Sequence, residues 1–188
     1  MRTWSGNSCL AVLLTTLSGI AGADEAVKGG FGIQLGEQIS RDDPRIKGDE
    51  ESSPDAGLRL SFEPDHPFGA LEHYHVRVTP EGRKIYRVTA EGSFQSSAAC
   101  QGELAALQEA LEERYGVTNE NIVDSVLSSA TGMEVIRFGR PPQRIVAACI
   151  GFMGSHDLTL SYIDDDLEKR AKAERARMGE GEYGGEGL

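Results

Sequence analysis

The sequence predicts an α+β fold in which one long helix packs on a mainly antiparallel sheet of about six short strands. Short apolar or alternating segments, separated by glycine and proline, lie on both sides of a single long segment with helical periodicity. One cysteine lies in that helical segment, and another lies in an apolar segment nearer the C-terminus. Strands, then a helix, then strands again are typical of an antiparallel sheet covered on one side by a helix.

The long helix is predicted from residue 97 to residue 115. Its apolar positions recur at i, i+4, i+7, i+11 and i+15, so that one face carries Cys100, Leu104, Leu107, Leu111 and Tyr115. Ser96 or Ser97 is suited to cap the N-terminus, and Gly116 is suited to a left-handed C-cap. The helix is therefore expected to turn Cys100 toward the sheet.

The segments before the helix predict short strands. "GGFGIQLG" (29–36) is typical of an extended piece interrupted by glycines, and residues 41–57 are charged and contain proline, which predicts a surface loop. The alternation at 58–63 predicts a half-buried strand. Two further arms around "PEG" (80–82) predict a hairpin, with one face of the arms formed by Tyr74, Val76, Val78, Tyr86, Val88 and Ala90.

The segments after the helix predict a three-stranded meander and a C-terminal helix. "NENIVDSVL" (119–127) is compatible with a second short helix, and the run around Cys149 predicts a central strand buried on both faces. Residues 164–178 begin with three acids suited to a helix N-terminus, but their apolar side is thin, which indicates a projecting tail helix. Residues 179–188 are rich in glycine and glutamate, which is typical of a disordered tail.

The N-terminus has the order of a secretory signal peptide. Arg2 supplies the positive charge, residues 10–20 supply a short apolar run, and residues 21–23 (Ala-Gly-Ala) supply a small-residue cleavage site. Cleavage after Ala23 leaves a single α+β domain at residues 24–178. The sequence therefore predicts a protein exported to the periplasm or secreted, with no membrane insertion of the mature chain.

Removal of the signal peptide also removes Cys9, which leaves two cysteines in an oxidising compartment. An even number of cysteines in an exported chain favours a disulfide, here between Cys100 and Cys149. A reactive thiol and a metal site are the alternatives. The sequence lacks the Cys-x-x-Cys spacing typical of redox sites, and two isolated cysteines are a poor zinc site.

The whole chain has a formal net charge of −11. Nucleic acids and anionic membranes attract basic surfaces, so this charge argues against both as partners. Several short motifs, namely "FGIQLG", a Tyr-x-Val hairpin, a cysteine-bearing helix ending in "RYG", "RIVAAC" and "LSYIDDDLEK", together resemble uncharacterised small exported bacterial proteins with a signal peptide and one disulfide-linked α+β domain. This resemblance implies a fold and a compartment, and it implies no activity.

His73, His75 and Arg77 are the main candidate binding residues. They alternate along one strand, so their side chains share a face. Two imidazoles on one face suggest a metal site, for which His66 in the preceding loop is the weak third candidate, although Arg77 argues against a bound cation. The simpler interpretation is the solvated polar face of an outer strand.

Three other motifs have simpler structural explanations. Asp164 to Asp166 lack the spacing of a calcium loop and are better explained as helix N-terminal charge. The glycines of 29–36 are not followed by a phosphate-binding helix. Ser155, His156 and Asp157 are adjacent in sequence, whereas a catalytic triad is built from spatial neighbours, so a hairpin turn is the expected role.

Two classes of function remain open. The favoured one is a non-enzymatic binding or interaction module that contacts an unknown envelope or extracellular protein through His73, His75 and Arg77, or through the C-terminal helix. The alternative is a metal-binding protein or a hydrolase built on His66, His73 and His75. The sequence indicates no cofactor and no complete catalytic set.

Overall fold

The computed structural model describes residues 26–53, 57–116, 134–152 and 154–183. Its elements in chain order are β1 (Gly29–Gly30), β2 (Ile33–Gln34), β3 (Ile46–Ser53), β4 (Gly57–Phe62), β5 (His73–Val78), β6 (Ile85–Phe94), α1 (Ser97–Tyr115), β7 (Glu134–Arg140), β8 (Gln143–Phe152), β9 (Ser155–Asp164) and α2 (Asp165–Tyr183). The predicted signal peptide, the predicted short helix at 119–127 and residues 184–188 lie outside the described residues.

Among the described residues, seven strands form one antiparallel sheet in the order β3-β4-β5-β6-β9-β8-β7, and β1 pairs with β2 in a separate small hairpin. The predicted α+β class with an antiparallel sheet is therefore confirmed. The strand count exceeds the expected six, because the main sheet alone has seven strands.

The apolar core lies between α1, the β1–β2 hairpin and one face of the sheet, called the core face below. Its strand residues alternate along β4 to β9 and include Leu60, Val76, Val88, Phe138, Ile145 and Leu160. The predicted helix face is confirmed, because all five of its residues are buried. Ser96 accepts a hydrogen bond from the backbone N–H of Ala99 at 3.2 Å, and Gly116 follows the helix at φ +78°.

A disulfide joins α1 to the core face. Cys100 and Cys149 are bonded across a Cα–Cα distance of 6.0 Å, and both are buried. The pairing predicted from the cysteine count is therefore present. It fixes the first turn of the helix over β8.

Strand β3 lies inside the stretch that was predicted to be a surface loop (41–57). Its sequence, "IKGDEESS", is mostly charged or polar, so it lacks the apolar alternation that identifies a half-buried strand. It is an edge strand whose hydrogen bonds to β4 supply the order. Charged residues are common on edge strands, where they discourage pairing with other chains.

Tyr86 does not share the face predicted for it. The pairing of β5 with β6 is irregular next to Val78, which pairs with Ile85, and this makes Tyr86 an extra residue in β6. Tyr86 is buried but lies outside the core cluster, and its hydroxyl lies beside Gly57 and the Arg175 guanidinium. The irregularity thus sends a tyrosine to the face opposite α1.

Strand β8 is only partly buried on the face opposite α1, where Ala148 is buried but its neighbour Ile150 is not. Ile145, Ala147 and Cys149 are buried on the core face, whereas Ile150 on the other face is 42% exposed. The strand lies next to the edge strand β7 and not at the centre of the sheet. The continuous apolar sequence therefore predicted more burial of β8 than the structure shows.

Helix α2 packs on the sheet and does not project from it. Ala171 and Glu174 are fully buried, and Glu174 accepts hydrogen bonds from Arg170 Nε at 2.7 Å and from the backbone N–H of Glu81 at 3.1 Å. Asp164 caps the helix by accepting from the N–H of Leu167 at 3.0 Å. The helix continues to Tyr183, beyond the predicted end at residue 178, so residues 179–183 of the predicted disordered tail are helical. Within the described residues, neither helix is both long enough and apolar enough to cross a bilayer.

The disulfide is expected to contribute strongly to stability. Cys100 and Cys149 are 49 residues apart, and restraining a loop of that length in the unfolded chain is worth about 4 kcal/mol. Replacing both cysteines by alanine should lower the free energy of unfolding by about that amount in urea denaturation. A loss below about 1 kcal/mol would show that packing of α1 alone fixes the helix.

Candidate functional site

The face of the sheet opposite α1, called the second face, carries three arginines at one level. Arg59 on β4 pairs with Arg77 on β5, which in turn pairs with Arg87 on β6. Directly paired residues of antiparallel strands point to the same face. These three side chains, called the arginine row below, therefore lie side by side across about 10 Å of sheet.

Three glutamates partly balance the arginine row. Arg59 lies 3.7 Å from Glu51 and 3.5 Å from Glu91, distances that are long for a hydrogen bond. Arg87 makes a closer contact, 2.8 Å, with Glu168 of α2. Because Glu51 is 72% exposed, its pairing with Arg59 is weak and readily exchanged.

His75 lies directly behind the arginine row and is 3% exposed. Its Nδ1 lies 3.0 Å from Nη2 of Arg59, and since a guanidinium only donates, Nδ1 must be the acceptor of a neutral imidazole. Burial, and then the charges of Arg59, Arg77 and Arg87, lower the pKa of His75 to about 3. The imidazole therefore supports the arginine row without adding a further positive charge.

Two buried hydroxyl groups lie beside His75. Thr89 pairs with His75 on one side and with Ser161 on the other, and the two hydroxyl oxygens are 3.1 Å apart. Within the described residues, the buried Nε atoms of Arg59 and Arg87 have no hydrogen-bond acceptor. These buried groups are out of a ligand's reach, so the donors open to a ligand with acceptor oxygens are the guanidinium ends of Arg59 and Arg87, whose side chains are 36% and 28% exposed.

The structure brings His73, His75 and Arg77 to one face, as the alternation predicted. The expectation of a solvated face is wrong for His75, which is buried, while His73 is exposed. His66 lies elsewhere, in a cleft lined also by Tyr162 of the core face. Among the described residues, no group of three or more His, Cys, Asp or Glu side chains could hold a metal ion.

The other candidate motifs form structural contacts. Asp157 accepts a hydrogen bond from Ser93 at 2.8 Å, while Ser155 begins β9 after the turn from β8. Asp165 pairs with Arg144 at 3.0 Å. The glycine-containing segment at 29–36 forms the β1–β2 hairpin. These contacts favour the structural explanations over calcium, triad or phosphate-loop chemistry.

Sequence reasoning missed Arg59 and Arg87 as members of the site. Each alternates with apolar residues on its own strand, and that signal is visible in the sequence. Their shared level with Arg77 depends on strand register, which is fixed by the bulge next to Val78 and by the pairing of β4 with β5. The arginine row could therefore not be predicted strand by strand.

No family model, curated protein or solved structure matches this chain. The function must therefore be argued from the site itself.

The buried His75 predicts a specific pH dependence of stability. As the pH falls below the ordinary histidine pKa of 6.5, the unfolded chain takes up a proton that folded His75, with a pKa of about 3, excludes. The free energy of unfolding should therefore fall between those values, by up to ~1.4 kcal/mol per pH unit from this residue. His75→Asn keeps an acceptor near Nδ1 and should flatten the dependence between about pH 5 and 7.

His73→Asn is the matched control, since it removes an exposed histidine from the same strand. Urea denaturation of the wild-type protein, His75→Asn and His73→Asn at several pH values measures how the free energy of unfolding of each depends on pH. An unchanged slope in His75→Asn would contradict a buried neutral imidazole.

Proposed function

We propose that the protein is a non-enzymatic binding module that recognises an acidic segment of a partner protein through the arginine row. The observation that carries this proposal is the alignment of Arg59, Arg77 and Arg87 at one level of the second face. Side-by-side like charges destabilise a sheet unless something offsets them. Carboxylates of a bound partner would offset these like charges, and this accounts for the alignment of the three arginines.

The partner's carboxylates replace the weaker pairings of the free protein. Glu51 and Glu91 lie at long distances from Arg59, so a better-placed carboxylate exchanges with them at little cost. An extended segment presents acidic side chains at alternate positions about 7 Å apart. Flexible arginine side chains reach two such carboxylates, and each guanidinium offers a planar pair of donors that matches a carboxylate.

The position of α2 defines one end of this binding surface. Glu168 of α2 holds Arg87 at 2.8 Å, which orients one end of the arginine row. Arg59, 36% exposed, is the more accessible end. The partner segment therefore crosses β4 and β5 and ends against α2.

The binding proposal is tested with an acidic peptide of alternating glutamate and serine, by isothermal titration calorimetry at low ionic strength. Arg77→Gln removes the middle charge of the arginine row and should weaken binding about tenfold, because a charge-assisted hydrogen bond is lost. Arg41→Gln is the control, since Arg41 is 76% exposed outside the sheet.

Equal weakening by the two substitutions would mean that only overall charge matters and would contradict the proposed site. Tighter binding of inorganic polyphosphate than of the peptide would contradict the choice of a carboxylate partner. A melting temperature of each variant at or above that of the wild-type protein shows that the sheet is intact.

We further propose that the protein is located in the periplasm or outside the cell. The signal-like N-terminus and the Cys100–Cys149 disulfide support this location, since disulfides persist in oxidising compartments. The protein recovered from a cell-envelope fraction should have the intact mass of a chain starting at Asp24, and it should take up no thiol label before reduction. Recovery of the full-length chain with labelled thiols would contradict export.

A further inference from the structure

A cleft of about 580 Å³ lies beside the core, away from the arginine row. It is open to solvent and is lined by the β1–β2 hairpin, the loop that contains Phe68, the C-terminal end of α1 and the end of β9. We call it the hairpin cleft and define it by Lys28, Phe31, Phe68, Arg114, Tyr115 and Tyr162. Its volume lies within the range of roughly 300–1,000 Å³ typical of small-molecule sites.

Within the described residues, four aromatic residues line the hairpin cleft. The Phe31 ring contacts Tyr74 at 5.0 Å and Tyr162 at 5.9 Å between ring centroids, both edge-on. Phe31 has φ +58° and Gly32 has φ +84°, the positive values that the two-residue hairpin turn between Gly30 and Ile33 requires. The turn therefore fixes the position of the Phe31 ring in the cleft wall.

The hairpin is held against Tyr162 by close contact. A Cβ added to Gly30 would lie 2.4 Å from the Tyr162 ring, so only glycine allows the backbone to approach this closely. Burial, with Tyr115 nearby, raises the pKa of Tyr162 to about 12. Its hydroxyl therefore keeps its proton at physiological pH and remains a hydrogen-bond donor.

Two cationic side chains line the hairpin cleft. These are Lys28 and Arg114, with the Arg114 guanidinium 5.3 Å from the centroid of the Tyr115 ring. Among the described residues, no aspartate or glutamate lines it, and the nearest carboxylate shown is that of Asp65, which lies against Gly32 at its edge. In a chain with 30 acidic residues, a cleft lined by aromatic and cationic side chains favours a ligand with a ring and a negative charge.

We infer that the hairpin cleft binds a small aromatic carboxylate. The ring of the ligand packs among Phe31, Phe68 and Tyr162, and its carboxylate pairs with Arg114 and Lys28. This site is independent of the arginine row, which lies on the opposite face of the sheet.

The experiment uses benzoate as the probe, with ligand-observed NMR and calorimetry on the purified protein. Acetate supplies the charge without the ring, and benzyl alcohol supplies the ring without the charge. Benzoate should bind saturably, and each comparison compound should bind at least fivefold more weakly. Arg114→Gln and Lys28→Gln should each weaken benzoate binding by at least fivefold. Arg177→Gln, at a 63% exposed position on α2, should not.

Three results would overturn the inference. These are benzoate binding that does not saturate at millimolar concentration, equal binding of benzoate and benzyl alcohol, and unchanged binding in both cleft variants. Lys28 is exposed on the hairpin, so Lys28→Gln is expected to fold. If Arg114→Gln does not fold, Lys28→Gln still tests the inference. Arg77→Gln should leave benzoate binding intact, which separates this inference from the proposed function.

Discussion

The pairing of β6 with β9 is the interaction on which the rest of the structure depends. Every other neighbouring pair in the seven-stranded sheet joins strands that follow one another in sequence, whereas β6 and β9 are separated by α1 and two strands. The pairing is continuous over eight residue pairs, from Arg87 with Ile163 to Phe94 with His156. It merges two local units into one sheet with a single core face.

The side chains around this pairing reinforce it from both faces. On the core face, α1 follows β6 directly and is bonded through Cys100 to β8, the neighbour of β9. On the second face, the Thr89 and Ser161 hydroxyls meet across the pairing. The disulfide matters here because it shortens the effective loop that must close before β6 and β9 can meet.

Local sequence patterns predicted much of the core face and little of the second face. The helix face, its caps, the disulfide and the β5 strand follow from periodicity and cysteine count, which are properties of short segments. Strand β3 was missed because an exposed edge strand needs no apolar alternation. The packing of α2 was missed because it buries Glu174. Burial of a carboxylate is costly unless hydrogen-bond donors satisfy it, and here the donors are Arg170 and the backbone N–H of Glu81. Such partners become visible only when distant segments are brought together.

The requirements of folding explain the residues of the core more fully than they explain the arginines of the second face. A buried Leu60 or Val76 is explained by the removal of apolar surface from water. Three aligned arginines lower the stability of the sheet, and the structure limits that cost by keeping His75 neutral and by placing Glu168 against Arg87. Positions where a sequence departs from the most stable local choice are expected at functional sites. The arginine row is such a departure, because it sets three like charges side by side on adjacent strands.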